Sequence, residues 1–217
     1  MYKQKKAVRA ISRRRKAGLV LLFFLAGVVL VCLDRSHVAR RRPSQDKSQA
    51  TIQANDIARY HGKMFRVVHV VDGDTLDVDI ADGDKASTRI RLLGIDTPET
   101  TDASEIAYFG SDATEATNKM TLGQNISVYL DNDNHTRGYY GRLLAYVKLP
   151  DGRFLNEVLL SEGFGYADVR FRHSFYNRYK QLEASARTLK KGLWAGVKRE
   201  QLPKWLQREK PTLLLGK

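Results

Sequence analysis

Hydrophobic and polar residues alternate in five short segments of the chain. This period of two is typical of β-strands that bury one face and expose the other. The predicted strands are MFRVVHVV at 64–71, TLDVDI at 75–80, TRIRLLGI at 88–95, ISVYLD at 126–131 and RLLAYVKL at 142–149. Helices predicted between and after these strands are expected to pack against the sheet and cover its apolar residues.

Three further segments are compatible with helices. They are SDATEATNKMTLG at 111–123, FLNEVLLSEG at 154–163 and HSFYNRYKQLEASARTLKKGLW at 173–194. Ser111 and Asp112 are suited to cap the first helix, and Gly123 and Gly163 to end the first two. The order predicts an α+β fold in which five antiparallel strands, with a helix inserted after the third, form a small closed barrel of the OB type.

The acidic segment VDIADGDKAS, between the second and third strands, allows two interpretations. Asp82-Gly83 is typical of a hairpin turn, because Gly tolerates positive φ. A calcium loop between helices would need Gly at its sixth and Glu at its twelfth position, and the segment lacks this spacing. We therefore predict a solvent-exposed hairpin tip.

An uncharged segment, AGLVLLFFLAGVVLVCL at 17–33, follows a basic segment at 1–16. As a helix it would extend about 26 Å, at the short end of what crosses a bilayer. No small-residue cleavage pattern follows it, so we predict a retained single-pass anchor, with a secreted or periplasmic protein after signal cleavage as the alternative. More Lys and Arg precede the segment than follow it, which predicts an extracytoplasmic domain.

Protease added outside intact cells is expected to digest that domain, and full protection would refute this orientation.

The net charge does not by itself predict a nucleic-acid partner. The formal charge is +13, but residues 1–50 hold 13 of the 37 Lys and Arg and only two acids, so the rest of the chain carries about +2.

We predict a flexible linker at 34–60, a domain at 61–195 and a tail at 196–217. The single Cys lies in the apolar segment, so the domain has no internal disulfide.

Charged residues lie beside strand ends or turns in VVDGDT at 70–75, RIRLLGIDTPE at 89–99 and YYGRLLAY at 139–146. The acids are hard oxygen ligands or bases, and the arginines are permanent cations with planar donor forks. The residues concerned are Asp72, Asp74, Arg91, Asp96, Glu99 and Arg142. Brought together, they would form a site for a divalent cation and a phosphate.

Each of these residues also has a structural interpretation. Asp72-Gly73 and Asp74 fit an ordinary turn, and Tyr139 and Tyr140 fit packing positions. Arg91, in the middle of a strand, is costly to bury unless it is paired, so neighbouring acids could pair with it for structural reasons alone. The residues by themselves leave both interpretations open.

The ordered motifs DGDT, RLLGIDTPE, YGRLLAYV, LNEVLLSEGF and KKGLW resemble the staphylococcal nuclease (thermonuclease) family over about residues 64–194. LPKWL, in the tail, is similar to the proline-tryptophan tails of some members. The resemblance implies an OB-fold barrel with helices and a Ca²⁺-dependent phosphodiesterase that acts on DNA and RNA.

The resemblance also implies which residues bind the metal and the water. By their positions in the motifs, Asp74 and Asp96 would hold Ca²⁺ through their carboxylates, and the main-chain carbonyl of Thr97 would assist. Glu99 corresponds to the acid that activates or orients the attacking water. A cation and a nearby carboxylate are what hydrolysis of a phosphodiester by water requires.

Substrate contacts are implied in the same way. Arg91 and Arg142 correspond to the two arginines that bind the phosphate, and Tyr140 to the tyrosine along the nucleotide site. Phe171 falls near the place of a stacking tyrosine, and Gly138 stands where many members have an acid shortly before YGR. These two departures concern substrate preference more than catalysis.

We therefore expect a monomeric, Ca²⁺-dependent endonuclease that hydrolyses DNA, RNA or both and is attached to a membrane through its N-terminal segment. The alternative is a catalytically inactive module of the same family that binds nucleic acid or protein. Such a module would be expected to have lost some of Asp74, Arg91, Asp96, Glu99 and Arg142, and all five are present.

Overall fold

The computed structural model describes residues 42–100 and 107–214, without the side chains of residues 42–47. The basic N-terminus at 1–16 and the hydrophobic helix at 17–33 lie outside the described residues, so both stay predictions. No helix in the described part of the chain is long and apolar enough to cross a membrane.

Five strands close into a barrel, which confirms the predicted α+β class and the five-stranded closure. Around the barrel they are β1 (Lys63–Asp72), β2 (Thr75–Val78), β3 (Thr88–Leu92), β6 (Leu143–Lys148) and β5 (Asn125–Tyr129). Their inward-facing aliphatic residues, such as Leu76, Ile90 and Leu143, are fully buried. A separate two-stranded sheet pairs β4 (Ile95–Asp96) with β7 (Tyr166–Ala167).

One neighbouring pair in the barrel corrects the prediction of five antiparallel strands. β3 and β6 run parallel, with Arg91 opposite Leu144, whereas the other neighbouring pairs are antiparallel. A closed ring with an odd number of strands cannot alternate direction throughout, so closure requires a parallel pair. The chain forms this pair by a long crossover through a helix and β5, as parallel strands need.

The described helices include the three predicted from the sequence. In chain order they are α1 (Arg42–Tyr60), α2 (Gly110–Thr121), α3 (Leu155–Ser161), α4 (Tyr176–Thr188) and α5 (Lys204–Glu209), with 3₁₀ turns at Gly192–Ala195 and Arg199–Gln201. The helix predicted to continue to Trp194 ends at Thr188. Lys190 there adopts a left-handed φ of 52°, and Lys191 N donates to Ala186 O at 2.9 Å, which satisfies a terminal carbonyl.

Residues 42–60 form α1 where the sequence predicted a flexible linker at 34–60. The unit that contains the barrel begins at Ile52. Within this unit the buried Asp56 accepts hydrogen bonds from Arg137 Nε at 2.8 Å, Arg137 Nη2 at 2.6 Å and Thr136 Oγ1 at 2.6 Å. These contacts cross some 80 residues of sequence, so the helix depends on tertiary pairing that a local pattern does not reveal.

The hairpin predicted between β2 and β3 is present. Asp82 and Lys85 form its terminal bridge, and Gly83 has the positive φ, 60°, that the turn requires. Asp82 forms an ion pair with Arg137. The hairpin interpretation of this acidic segment is therefore confirmed.

The tail predicted at 196–217 contributes to the packed structure. Leu202, Trp205 and Leu206 are buried in a second apolar cluster together with Tyr166 and Trp194. Tyr166 belongs to β7, which pairs with β4, so this cluster adjoins the strand that carries Asp96.

Candidate active site

Strand register brings the three charged motifs to one region of the barrel. Thr75 of β2 lies opposite Arg91 of β3, and Arg91 lies opposite Leu144 of β6. Asp74 therefore precedes β2, and Arg142 precedes β6, on the two strands that flank Arg91. The separation of these motifs in sequence is bridged by strand pairing alone.

The turn that carries Asp74 is held tightly against Thr97. Asp74 N donates to Asp72 Oδ1 at 3.0 Å, and a Cβ at Gly73 would come within 2.8 Å of Thr97 Oγ1. Thr117 Oγ1 of α2 donates to Gly73 O at 2.7 Å. Glycine is required here because the backbone approaches a side chain more closely than a Cβ permits.

The Asp74 carboxylate accepts several donors in a nearly solvent-free position. Its Oδ2 accepts from Thr97 N at 2.7 Å and Thr97 Oγ1 at 3.1 Å and pairs with Arg91 Nη1 at 2.9 Å. Thr75 Oγ1 donates to Oδ1 at 3.1 Å. Two residues of the predicted metal set, Asp74 and Thr97, are thus in direct contact.

Arg91 joins the two predicted metal-binding carboxylates. Its Nη1 contacts Asp74, and its Nη2 pairs with Asp96 Oδ1 at 2.7 Å. Nη1 also donates to Leu92 O at 3.1 Å and Ile95 O at 2.7 Å, and the side chain is only 13% exposed. The pairing that a buried arginine requires is therefore found, and its partners are the acids singled out for chemistry.

The other oxygen of Asp96 is bound by the C-terminal segment. Trp205 Nε1 donates to Asp96 Oδ2 at 2.7 Å across 109 residues of sequence. Arg170 Nη2 lies 3.5 Å from Asp96 Oδ1 and also pairs with Asp168 at 2.8 Å. The sequence singled out neither Trp205 nor Asp168 for this site, and the LPKWL motif marked Trp205 only as part of a family-like tail.

Burial and repulsion between neighbouring carboxylates raise the pKa values of Asp74 and Asp96. Burial raises the pKa of Asp74 to about 6, and Asp72 adds to this rise while Arg91 opposes it. Burial also raises the pKa of Asp96. Burial disfavours the charge of Arg91, but its pKa is raised on balance because Asp74 and Asp96 lie beside it. The negative charge of these carboxylates exceeds the single positive charge of Arg91, so the cluster favours the binding of an additional cation.

Glu99 and Arg142 complete the set of predicted catalytic residues. Glu99 follows the buried Pro98, and its side chain is exposed. Arg142 is half-buried, and its Cζ lies 5.7 Å from the ring centroid of Tyr140. In the described residues Arg142 has no ion pair, so its guanidinium group is available to a ligand.

The predicted stacking residues are exposed. Tyr140 is 75% and Phe171 64% exposed, and Tyr139 packs edge-on to Tyr140 with centroids 5.1 Å apart. Gly138 lies in the turn before β6, where its N donates to Arg142 O at 2.9 Å. Packing thus does not account for Tyr139 or Tyr140, which the sequence had also allowed as core residues.

The donor set suits a hard divalent cation bound by few protein ligands. Across residues 42–100 and 107–214, no three or more His, Cys, Asp or Glu side chains are grouped to hold a metal ion. What remains is the carboxylate of the buried Asp74, that of the part-buried Asp96, both with raised pKa values, and the main-chain carbonyl of Thr97, the residue after Asp96; this is a small oxygen-only set. Calcium accepts such oxygens together with several waters.

Known proteins of one family resemble this chain in sequence. A profile of the family described as staphylococcal nuclease homologue matches residues 89–196. The thermonuclease of Staphylococcus hyicus is 34% identical over 133 residues, covering 60% of this chain and 75% of that protein. Endonuclease YncB of Bacillus subtilis is 30% identical over 200 residues, 83% of this chain and 92% of its own. A protein of Escherichia coli O157:H7 described as an uncharacterized endonuclease is 32% identical over 160 residues, 70% and 88% of the two chains. The chain therefore belongs to the staphylococcal nuclease family.

Proposed function

We propose that the protein is a Ca²⁺-dependent nuclease that hydrolyses phosphodiester bonds of DNA, RNA or both by attack of water. The observation that carries this proposal is the buried cluster in which Arg91 bridges the carboxylates of Asp74 and Asp96. Such a cluster offers anionic oxygens to a metal and a cation to a phosphate at one place. Membership of a family with thermonucleases and endonucleases supports the activity.

In this proposal Asp74, Asp96 and the Thr97 carbonyl hold the metal. Asp74 is fixed by Thr97 N and by the turn at Gly73, so its carboxylate needs little reorganisation on binding. Bound there, Ca²⁺ would stabilise negative charge that accumulates on the phosphoryl oxygens. The excess negative charge of the cluster attracts Ca²⁺.

Arg91 and Arg142 take the phosphate. A guanidinium group has five N–H donors, so Arg91 can retain a carboxylate and still donate to a phosphate oxygen. Arg142 enters from the neighbouring strand and approaches the phosphate from a second direction. Two forks on one phosphate orient the bond to be broken and stabilise charge that grows in the transition state.

Glu99 takes a proton from the attacking water. Its exposed side chain follows the ligand Asp96 by three residues, and the buried Pro98 stiffens the turn that separates them. The exposed rings of Tyr140 and Phe171 are suited to stack on bases, a contact that tolerates any base sequence. Substrate breadth in this proposal follows from stacking rather than base-specific hydrogen bonds.

The experiment that tests the proposed function is digestion of single- and double-stranded DNA and RNA with Ca²⁺ and then with a calcium chelator. Cleavage that requires Ca²⁺ is the expected result. Unchanged substrate in every condition, combined with nucleic-acid binding, would instead support the inactive module. Cleavage that persists in the chelator would refute the calcium requirement.

Calcium binding should weaken as the pH falls through about 6. The pKa of Asp74 is raised to about 6 in the folded chain, so the folded state holds this proton more tightly than the unfolded state. The stabilising contribution of the protonated carboxyl is therefore present below about pH 4 and lost as the pH rises through 6. Calcium needs the ionised form, so its stabilisation grows over the same interval.

This pH dependence is measured as the Ca²⁺-induced increase in Tm at pH 5, 6 and 7. We expect a small increase at pH 5 and the largest at pH 7. Asp74→Asn is the control. Asparagine has no carboxyl group to ionise, so Ca²⁺ should raise the Tm of this variant only slightly at each of the three pH values. Equal increases at pH 5 and pH 7 in the wild-type protein would contradict the role of Asp74.

A further inference from the structure

The contact between Trp205 and Asp96 links the C-terminal helix to the candidate active site. Trp205 lies in α5 and is 7% exposed, and its Nε1 donates to Asp96 Oδ2 at 2.7 Å. The opposite oxygen, Oδ1, pairs with Arg91 Nη2 at 2.7 Å. The Asp96 carboxylate is thus held from both sides by donors that lie far apart in sequence.

Neighbouring residues fix the orientation of the indole. Leu202 and Leu206 are buried beside Trp205, and the Cζ of Arg170 lies 4.5 Å from the centroid of the Trp205 ring. Arg170 is itself held by three hydrogen bonds to Asp168, two from its guanidinium group at 2.9 Å and 2.8 Å and one from its main-chain N at 3.0 Å. The ring has packed contacts on its apolar part and a charged group over its face, so the N–H is directed at Asp96 by more than one contact.

The chemistry of the donor distinguishes Trp205 from Arg91. An indole N–H is neutral, so it fixes a carboxylate without cancelling its charge. A carboxylate has about four lone-pair positions on its two oxygens, and these two hydrogen bonds leave others for a cation. A hydrogen bond of this kind to a metal-binding carboxylate orients the ligand and raises metal affinity.

We propose that Trp205 is a positioning residue for the Asp96 carboxylate and that helix α5 therefore completes the metal site. The inference rests on the proposed function, because it assigns Asp96 to the metal. Trp205 lies beyond residues 89–196, where the family profile matches. The role is thus carried by a segment outside the matched region.

The test compares Ca²⁺ binding by calorimetry in full-length Trp205→Phe and Trp194→Phe. The Trp205→Phe substitution keeps an aromatic ring beside Arg170 and removes the N–H donor together with part of the ring system, so Ca²⁺ affinity is expected to fall by about 10- to 100-fold. Trp194→Phe is the matched control: Trp194 is buried in the same cluster, and its Nε1 has no hydrogen-bond acceptor among the described residues. Its affinity for Ca²⁺ should match that of the wild type.

A second measurement observes the contact in the wild-type protein. The chain has two Trp residues, so the two indole N–H signals in an NMR spectrum can be assigned from the Trp194→Phe variant. The Trp205 signal is expected to shift when Ca²⁺ is added, and the Trp194 signal to stay in place. Because it needs no Trp205 variant, this measurement can still refute the inference if Trp205→Phe does not fold.

The outcomes separate the two proposals. A wild-type protein that neither binds Ca²⁺ nor cleaves nucleic acid refutes the proposed function and this inference with it. A wild-type protein that binds Ca²⁺, with equal or tighter binding by folded Trp205→Phe, overturns the inference alone. If the wild-type protein binds Ca²⁺ and the Trp205 signal does not shift, the inference is likewise overturned while the proposed function stands.

Discussion

Replacing Arg142 by lysine is expected to slow phosphodiester hydrolysis by on the order of 10²-fold or more and to leave stability nearly unchanged. Arg142 has no ion pair in the described part of the chain, and its guanidinium group lies 5.7 Å from the centroid of the exposed Tyr140 ring, so the substitution should remove little from the fold. Lysine keeps the positive charge but cannot present a planar fork to two phosphate oxygens. The measurement is kcat/KM with Ca²⁺ at saturation.

Arg59→Lys is the matched control for this substitution. Arg59 also lies over a tyrosine ring, that of Tyr60 at 5.5 Å, but belongs to helix α1 rather than to the cluster. Its replacement should leave kcat/KM within about twofold of wild type, because no transition-state contact is lost. If Arg142→Lys also cleaves at the wild-type rate, Arg142 does not bind the reacting phosphate.

Arg91→Met is expected to lower both stability and rate. Methionine is of similar length but leaves the buried Asp74 and the part-buried Asp96 without their shared cation, a loss that costs about 3–5 kcal/mol of the free energy of unfolding. Hydrolysis should fall by on the order of 10²-fold or more, because a phosphate donor is lost as well. Added Ca²⁺ should restore part of the stability by supplying positive charge to the same two carboxylates.

Arg89→Met, on the same strand, provides the comparison. Arg89 pairs with Asp77 at 2.8 Å, but the Arg89 side chain is 46% exposed and Asp77 keeps His69 at 3.5 Å, so removal of Arg89 should cost about 1 kcal/mol. Chemical denaturation with and without Ca²⁺ measures both variants. Equal losses of stability for Arg89→Met and Arg91→Met, or an Arg91→Met variant that gains nothing from Ca²⁺, would contradict the proposed charge balance.

Much of the barrel could be predicted because its strands carry their own pattern. β3 and β5 alternate buried and more exposed residues, whereas β2 is buried throughout, so the hydrophobic and polar pattern of the sequence located the strands without knowledge of their partners. Arg91 was recognisable for the same reason, since a charged residue amid a buried strand must find a partner. The parallel pairing of β3 with β6 follows from closing an odd number of strands.

Features that depend on distant partners were not visible in the sequence. Helix α1 is polar and depends on Asp56 meeting Arg137, 81 residues away. Trp205 contacts Asp96 across 109 residues, and nothing within LPKWL distinguishes a site residue from a core residue. Local pattern therefore located the predicted metal-binding motifs but not the contacts that hold them in place.

Titration of the wild-type protein and of Glu99→Gln with Ca²⁺, with binding and cleavage measured under the same conditions, is the decisive test of metal-assisted hydrolysis at this site. The wild type is predicted to bind Ca²⁺ saturably, with half-maximal cleavage at the concentration that gives half-maximal binding. Glu99→Gln is predicted to bind Ca²⁺ with similar affinity and to cleave much more slowly, because the water loses its base. Cleavage by the wild type without Ca²⁺, or wild-type rates from Glu99→Gln, would contradict the account.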